Sequence, residues 1–172
     1  SDTHTLVMID HCLDSNYREI IQTLCPELAA AKPGSALHCR KLPFLRSVIT
    51  VGFRMPGCLT FDEAMDRANL VPRKQILRMA AGVRPDDVCN MQYTSCTTGF
   101  PKGIMLTHYN VVNDGKCIGD RMDLSTADRM MIQVPMFHCF GMVLSMTSCM
   151  THGAPLCPMP YFSATVSLAC VH

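Results

Sequence analysis

The run Tyr93-Thr94-Ser95-Cys96-Thr97-Thr98-Gly99-Phe100-Pro101-Lys102-Gly103 follows a strand-like segment and opens into hydroxyls, two glycines and a lysine. The hydroxyls of Thr94, Ser95, Thr97 and Thr98, with the free backbone N–H groups between them, are able to converge on phosphate oxygens. Gly99 and Gly103 permit close backbone approach, and Lys102 supplies neutralising charge. The combination predicts a phosphate cradle at the end of a strand. It is not the Walker form, because no glycine lies five residues before a Gly-Lys pair and the lysine here precedes the second glycine. A solvated Ser/Thr-rich turn would explain any four-residue piece of the run, and only the full string favours an anion site.

Outward from this loop, strand and helix patterns alternate. Upstream, Pro85-Asp86-Asp87 makes a turn into a strand over 88–94, preceded by a helix over 73–81 that Pro72 opens and Gly82 ends. Thr60 and Glu63 have capping-box spacing ahead of the stripe Phe61, Ala64, Met65 and Ala68. Residues 5–9 and 47–51 are apolar, β-branched runs that predict buried strands. Between them Ser15 is placed to cap a helix over 16–24, in which Tyr17, Ile20, Ile21 and Leu24 recur at helical spacing until Pro26 stops it. Downstream, a helix over 107–121, with His108 and Asn110 near its cap, is followed by a strand over 129–135, a helix over 140–150 and a strand over 154–157. A last helix begins at Ser163. This order predicts an α/β layered strand-helix fold.

The length of 172 residues and 48% hydrophobic content suit one domain or part of one. Fifteen Lys and Arg against 14 Asp and Glu leave a net charge of +1, so no field attracts nucleic acid or an anionic membrane. Eleven cysteines, odd in number and scattered in apolar stretches, are expected to be reduced thiols in a cytoplasmic protein. The opening Ser1-Asp2-Thr3-His4 does not read as a secretory leader, so secretion is not expected. The most apolar stretch, 136–150, is shorter than the roughly 20 residues that span a bilayer. There is no Cys-x-x-Cys pair, and Cys89, Cys96, Cys139, His138 and His152 lack zinc-ligand spacing, so no metal site is expected. A Gly-x-Ser-x-Gly elbow is also absent, which removes support for serine hydrolase chemistry.

The loop resembles the signature of the adenylate-forming (AMP-binding) family, Tyr-Thr-Ser-Gly-Thr-Thr-Gly-x-Pro-Lys-Gly, with Cys96 where that family has glycine. The resemblance implies that Thr94, Ser95, Cys96, Thr97, Thr98, Gly99 and Lys102 belong to the loop that holds the ATP phosphates, with Lys102 acting in catalysis as pyrophosphate departs. A side chain at position 96 costs about 1 kcal/mol or more if the backbone there needs a positive φ, which predicts weakened phosphate binding.

A second segment, Val134-Pro135-Met136-Phe137-His138-Cys139-Phe140-Gly141, is similar to the family's Pro-x-Phe-His stretch at this distance. That likeness places Phe137, His138 and Gly141 in the wall of the carboxylate-substrate pocket. By itself His138 is more often a core or capping histidine. Cys25-Pro26-Glu27 and the stretch from Leu42-Pro43 to Gly57 look like fatty-acyl-CoA synthetases.

The resemblance implies that residues 1–172 are an internal piece of the large N-terminal AMP-binding domain of an acid–thiol ligase. The segments for adenine, ribose and magnesium and the small C-terminal domain are expected beyond His172. The implied reaction joins a carboxylic acid to coenzyme A through an acyl-adenylate, with ATP, Mg²⁺ and CoA taking part. The acid is expected to be a fatty acid, the isolated piece inactive, and its cut surface prone to self-association. Two alternatives stand beside this: a non-catalytic nucleotide-binding or interaction fragment, and a luciferase-like or peptide-synthetase adenylation domain.

Overall fold

The structure, a computed structural model, describes residues 2–94 and 99–171. The chain divides into two compact units, Ser1–Ala80 and Ala81–His172.

The first unit is built on a parallel sheet in which β4 (Ser47–Thr50) lies between β1 (Thr5–Met8) and β5 (Leu59–Thr60). Thr5 pairs with Ser47 and Met8 with Thr50, and Ile49 pairs with Leu59. Two-residue periodicity turns Val48 and Thr50 inward, and both are fully buried. Thr50 satisfies its buried hydroxyl by donating to the carbonyl of Phe53 at 2.7 Å. Met8, Ile21, Cys25, Leu28, Leu37, Leu45, Val48 and Met55 share one apolar core with Cys39 and Cys58.

A short hairpin, β2 (His11–Cys12) with β3 (Ser15–Asn16), precedes α1 (Tyr17–Leu24). This hairpin corrects the expected cap. Ser15 is paired with Cys12, so Asn16 takes the capping role and its side chain accepts from the Glu19 N–H at 3.2 Å. Pro26 ends α1 as expected, but it also opens a 3₁₀ turn over Pro26–Ala30 that carries Leu28 into the core. The capping box of α2 (Phe61–Asp66) forms as its spacing predicts. Glu63 N–H donates to Thr60 Oγ1 at 3.2 Å, and Thr60 N–H to Glu63 Oε2 at 2.9 Å. The helix is shorter than its stripe, passing into a 3₁₀ turn at Arg67–Leu70. α3 (Arg73–Ala81) follows.

In the second unit, β6 (Val88–Tyr93) and β7 (Gly103–Thr107) form an antiparallel hairpin with Tyr93 opposite Gly103. The strand β7 was not expected from the pattern, which passes from the loop directly to a helix. That helix, α4 (His108–Arg121), is capped by Thr107, whose hydroxyl accepts from Asn110 N–H at 3.2 Å while Asn110 Oδ1 accepts from Thr107 N–H at 3.0 Å. Asn110 thus completes the cap in the structural role expected of it.

β8 (Met130–Ile132) and β9 (Leu156–Pro158) pair in parallel and are shorter than, or displaced from, the strands the apolar runs suggest. Between them the apolar segment is π-helical over Phe140–Thr147 before continuing as α5 (Ser148–His152). Its hydroxyls explain the widening. Ser145 Oγ donates to the Phe140 carbonyl at 3.0 Å and Thr147 Oγ1 to the Met142 carbonyl at 2.9 Å, each five residues back. Buried Gly115 and Gly119 let α4 approach Thr147 and His152 closely. The unit ends with α6 (Ala164–Cys170), capped by Ser163. No helix among the described residues is long and apolar enough to cross a membrane.

Candidate functional site

The β6–β7 hairpin fixes the base of the candidate phosphate loop. Beyond the Tyr93–Gly103 pair, Thr94 N–H donates to the Lys102 carbonyl at 3.0 Å, so the loop leaves and returns through adjacent backbone positions. Thr94, Gly99 and Lys102 are all exposed on this hairpin end. Gly99 has φ +136°, a conformation open to glycine and rarely to other residues, so its identity follows from the backbone path. Ser95, Cys96, Thr97 and Thr98 lie outside the described residues. Among the described residues the Lys102 ammonium forms no ion pair, which leaves a cation at the loop's exit.

The second candidate segment meets the same strand. Asn90 and Gln92 share one face of β6 by two-residue alternation, and both turn toward the 137–142 stretch. Gln92 Nε2 donates to the Phe137 carbonyl at 3.2 Å, and Asn90 Nδ2 approaches Met142 Sδ at 3.2 Å. Asn90 Oδ1 is buried and has no hydrogen-bond partner among the described residues. These two amides carry the connection between the motifs. Their sequence signal was weak, since polar residues inside a short strand are ordinarily assigned to its solvent face.

Within that stretch the Phe137 ring is 84% exposed, whereas the backbone around it is tightly held. His138 N–H donates to the Pro135 carbonyl at 3.1 Å, and His138 Nδ1 accepts from Phe140 N–H at 3.1 Å. The ring is thereby fixed at the start of the π-helical segment, with Nε2 as its remaining polar atom. Gly141 is buried, and a Cβ there would stand 2.4 Å from the Pro135 carbonyl oxygen and 2.8 Å from Met136 Cα. Its lack of a side chain serves this backbone contact.

A different group of side chains comes together in the first unit. Cys25 Sγ, Cys39 Sγ and a Glu27 carboxylate oxygen all lie within 4.8 Å of one another. Cys25 is the residue between α1 and the 3₁₀ turn, Glu27 lies in that turn, and Cys39 comes from the connection to β4. Burial first, then the neighbouring Cys39 thiol, pushes the Cys25 thiol up to about 12. Sequence spacing did not reveal this trio, because Cys39 reaches it only through the tertiary fold.

Comparison with known proteins extends over both units. The family described as "AMP-binding enzyme" matches residues 24–172. The chain is 41% identical over 172 residues to the candidate acyl-CoA synthetase YngI of Bacillus subtilis (strain 168), covering 99% of this chain and 31% of that protein. It is 37% identical over 145 residues to the mitochondrial medium-chain acyl-CoA ligase ACSF2 of Macaca fascicularis, covering 81% of this chain and 23% of that protein. The fold is similar to the apo structure of MbtA from Mycobacterium smegmatis, with a TM-score of 0.73 and 22% identity over 99% of this chain and 28% of the other. The chain therefore spans less than a third of the length of these relatives.

Proposed function

We propose, from the premise that this chain belongs to the AMP-binding enzyme family, that it supplies the phosphate-binding loop and part of the acyl pocket of an ATP-dependent acid–thiol ligase. The observation that carries this reading is the Gln92–Phe137 hydrogen bond, which ties the proposed substrate wall to the strand leading into the loop. In the proposed reaction a carboxylate attacks the α-phosphate of ATP, releasing pyrophosphate and forming an acyl-adenylate. The thiol of coenzyme A then displaces AMP. A carboxylate is already nucleophilic at neutral pH, so the first step needs positioning and charge stabilisation more than a general base.

The residues present suit phosphate. Lys102 offers an exposed ammonium at the loop's exit, and Gly99 keeps the adjoining backbone free of a side chain. Thr94, Ser95, Cys96, Thr97 and Thr98 complete the proposed cradle, with Lys102 stabilising the departing pyrophosphate. Mg²⁺ favours oxygen ligands, whereas the three-ligand group found among the described residues contains two thiols. Mg²⁺ accordingly enters this proposal as the ion carried by the ATP phosphates.

For the acid, we propose a fatty acyl chain lying against Phe137, His138 and Gly141. The exposed Phe137 ring and the apolar Met142 and Leu144 support that class, as does the medium-chain name of the ACSF2 relative. The cytoplasm is the proposed location, supported by the ten described cysteines being free thiols. Exposed Leu70, Phe100 and Phe137 support self-association of the isolated chain. That chain is expected to turn over negligibly, with the adenosine contacts and C-terminal domain supplied by a longer protein. Cys96, standing where the family has glycine, favours a second reading as a non-catalytic nucleotide-binding module.

Isothermal titration of ATP·Mg²⁺ into the parent chain, Cys96→Gly and Lys102→Met tests the loop assignment. Binding that tightens in Cys96→Gly and is lost in Lys102→Met is expected. Absence of binding in both parent and Cys96→Gly, or affinity indifferent to Lys102, would overturn it.

A further inference from the structure

The trio in the first unit has the chemistry of a metal site and no part in the phosphate loop. We propose that Cys25, Glu27 and Cys39 bind a zinc ion through two thiolates and one carboxylate, with water in a fourth position. Zn–S bonds of about 2.3 Å and Zn–O bonds of about 2.0–2.2 Å in a tetrahedral arrangement place ligand atoms roughly 3.5–3.8 Å apart. All three atoms already lie within 4.8 Å of one another, so closure requires shifts of about 1 Å and no rearrangement of the chain.

The surroundings are organised in the same sense. Glu27 Oε1 is engaged by Arg40, whose backbone N–H stands 3.3 Å away and whose Nε stands 3.4 Å away. The other carboxylate oxygen, Oε2, is buried and has no hydrogen-bond partner among the described residues. A carboxylate oxygen without a partner among the described residues, set beside two buried thiols, is suited to a cation. Cys39 Sγ donates weakly to the Leu24 carbonyl at 3.5 Å, a contact readily exchanged for a metal bond. Cys25 also lines a cavity of about 220 Å³ with Gln22, Pro26 and Met55, giving the fourth position an opening.

Thiolate donors select a borderline-soft ion such as zinc over Mg²⁺ or Ca²⁺. Binding replaces two S–H bonds by two Zn–S bonds and releases both protons to solvent, with no change in oxidation state. Two thiolates and one carboxylate around Zn²⁺ leave one negative charge, which the Arg40 guanidinium balances. The bound ion would pin the end of α1 and the 3₁₀ turn to the 31–46 connection.

Cobalt titration into the full 172-residue chain, stripped of metal and kept reduced, provides the test. The expected result is a thiolate-to-Co²⁺ charge-transfer band that saturates at one ion per chain and disappears when Zn²⁺ is added. The band should vanish in Cys25→Ser and Cys39→Ser, weaken at least tenfold in affinity in Glu27→Gln, and persist in Cys58→Ser. No band from a folded parent chain, or a band surviving loss of both cysteines, would overturn the proposal. Where a cysteine variant loses its far-ultraviolet circular dichroism, Glu27→Gln decides, and unchanged Co²⁺ affinity in that variant would overturn it. ATP binding is not a readout here, so the outcome is independent of the loop assignment.

Discussion

Replacing Gly141 by alanine places one methyl group where the structure has backbone. The new Cβ would stand 2.4 Å from the Pro135 carbonyl oxygen and 2.8 Å from both Pro135 C and Met136 Cα. Ordinary contact begins near 3.4 Å, so the turn and the π-helical segment must part by about 1 Å. Inserting a methylene-sized group into a packed site costs about 1–3 kcal/mol, and rigid neighbours favour the upper half of that range. Alanine's better helix propensity returns about 1 kcal/mol. The net expectation is destabilisation of about 1–2 kcal/mol. For a unit of this size that corresponds to a fall in Tm of roughly 5–15 °C. Thermal circular dichroism measures the change, and urea unfolding checks that the m-value is preserved. A Tm equal to or above that of the parent would show that the Pro135–Gly141 contact yields freely, refuting the argument that backbone approach requires glycine there.

Thr107→Ala removes the hydroxyl that accepts from Asn110 N–H and should destabilise α4 by about 1 kcal/mol, with Thr107→Ser restoring most of it; an unchanged urea midpoint would contradict the cap. Glu63 is held below the usual carboxylate value, first by the Thr60 N–H and then by Arg54. Since its folded pKa is depressed, its contribution is present above the unfolded value and is lost as pH falls through the folded one. Urea midpoints measured from neutral to acidic pH should therefore fall more steeply in the parent than in Glu63→Gln, and parallel curves would count against that coupling.

Local signals were the legible ones. The Thr60–Glu63 box and the stop at Pro26 depend on neighbours a few residues apart, and both form. The cap of α1 is ambiguous in sequence because Ser15 and Asn16 are both good N-cap residues, and only the pairing of Ser15 with Cys12 chooses between them. β7 escaped because Gly103–Thr107 is strand-like only opposite β6. A 3.6-residue stripe does not distinguish an α-helix from the π-helical Phe140–Thr147, where hydroxyl back-bonding decides. At the candidate site, the order of loop and Phe137–His138 segment was readable, but the Asn90 and Gln92 contacts that join them were not. The Cys25–Glu27–Cys39 group was hidden for the same reason, since its members meet through folding.

The Gln92 amide makes the second unit something like a short lever. Its bond to Phe137 lies two residues before Thr94, where the loop departs, so displacement of the Pro135–His138 turn is resisted or transmitted by β6 over a very short arm. An occupant that shifts the turn must either break this bond or carry the base of the loop with it. For the proposed sites, equilibrium linkage makes any such effect reciprocal: whatever free energy an occupant of the turn would impose on anion binding at the loop, the anion would impose on the turn.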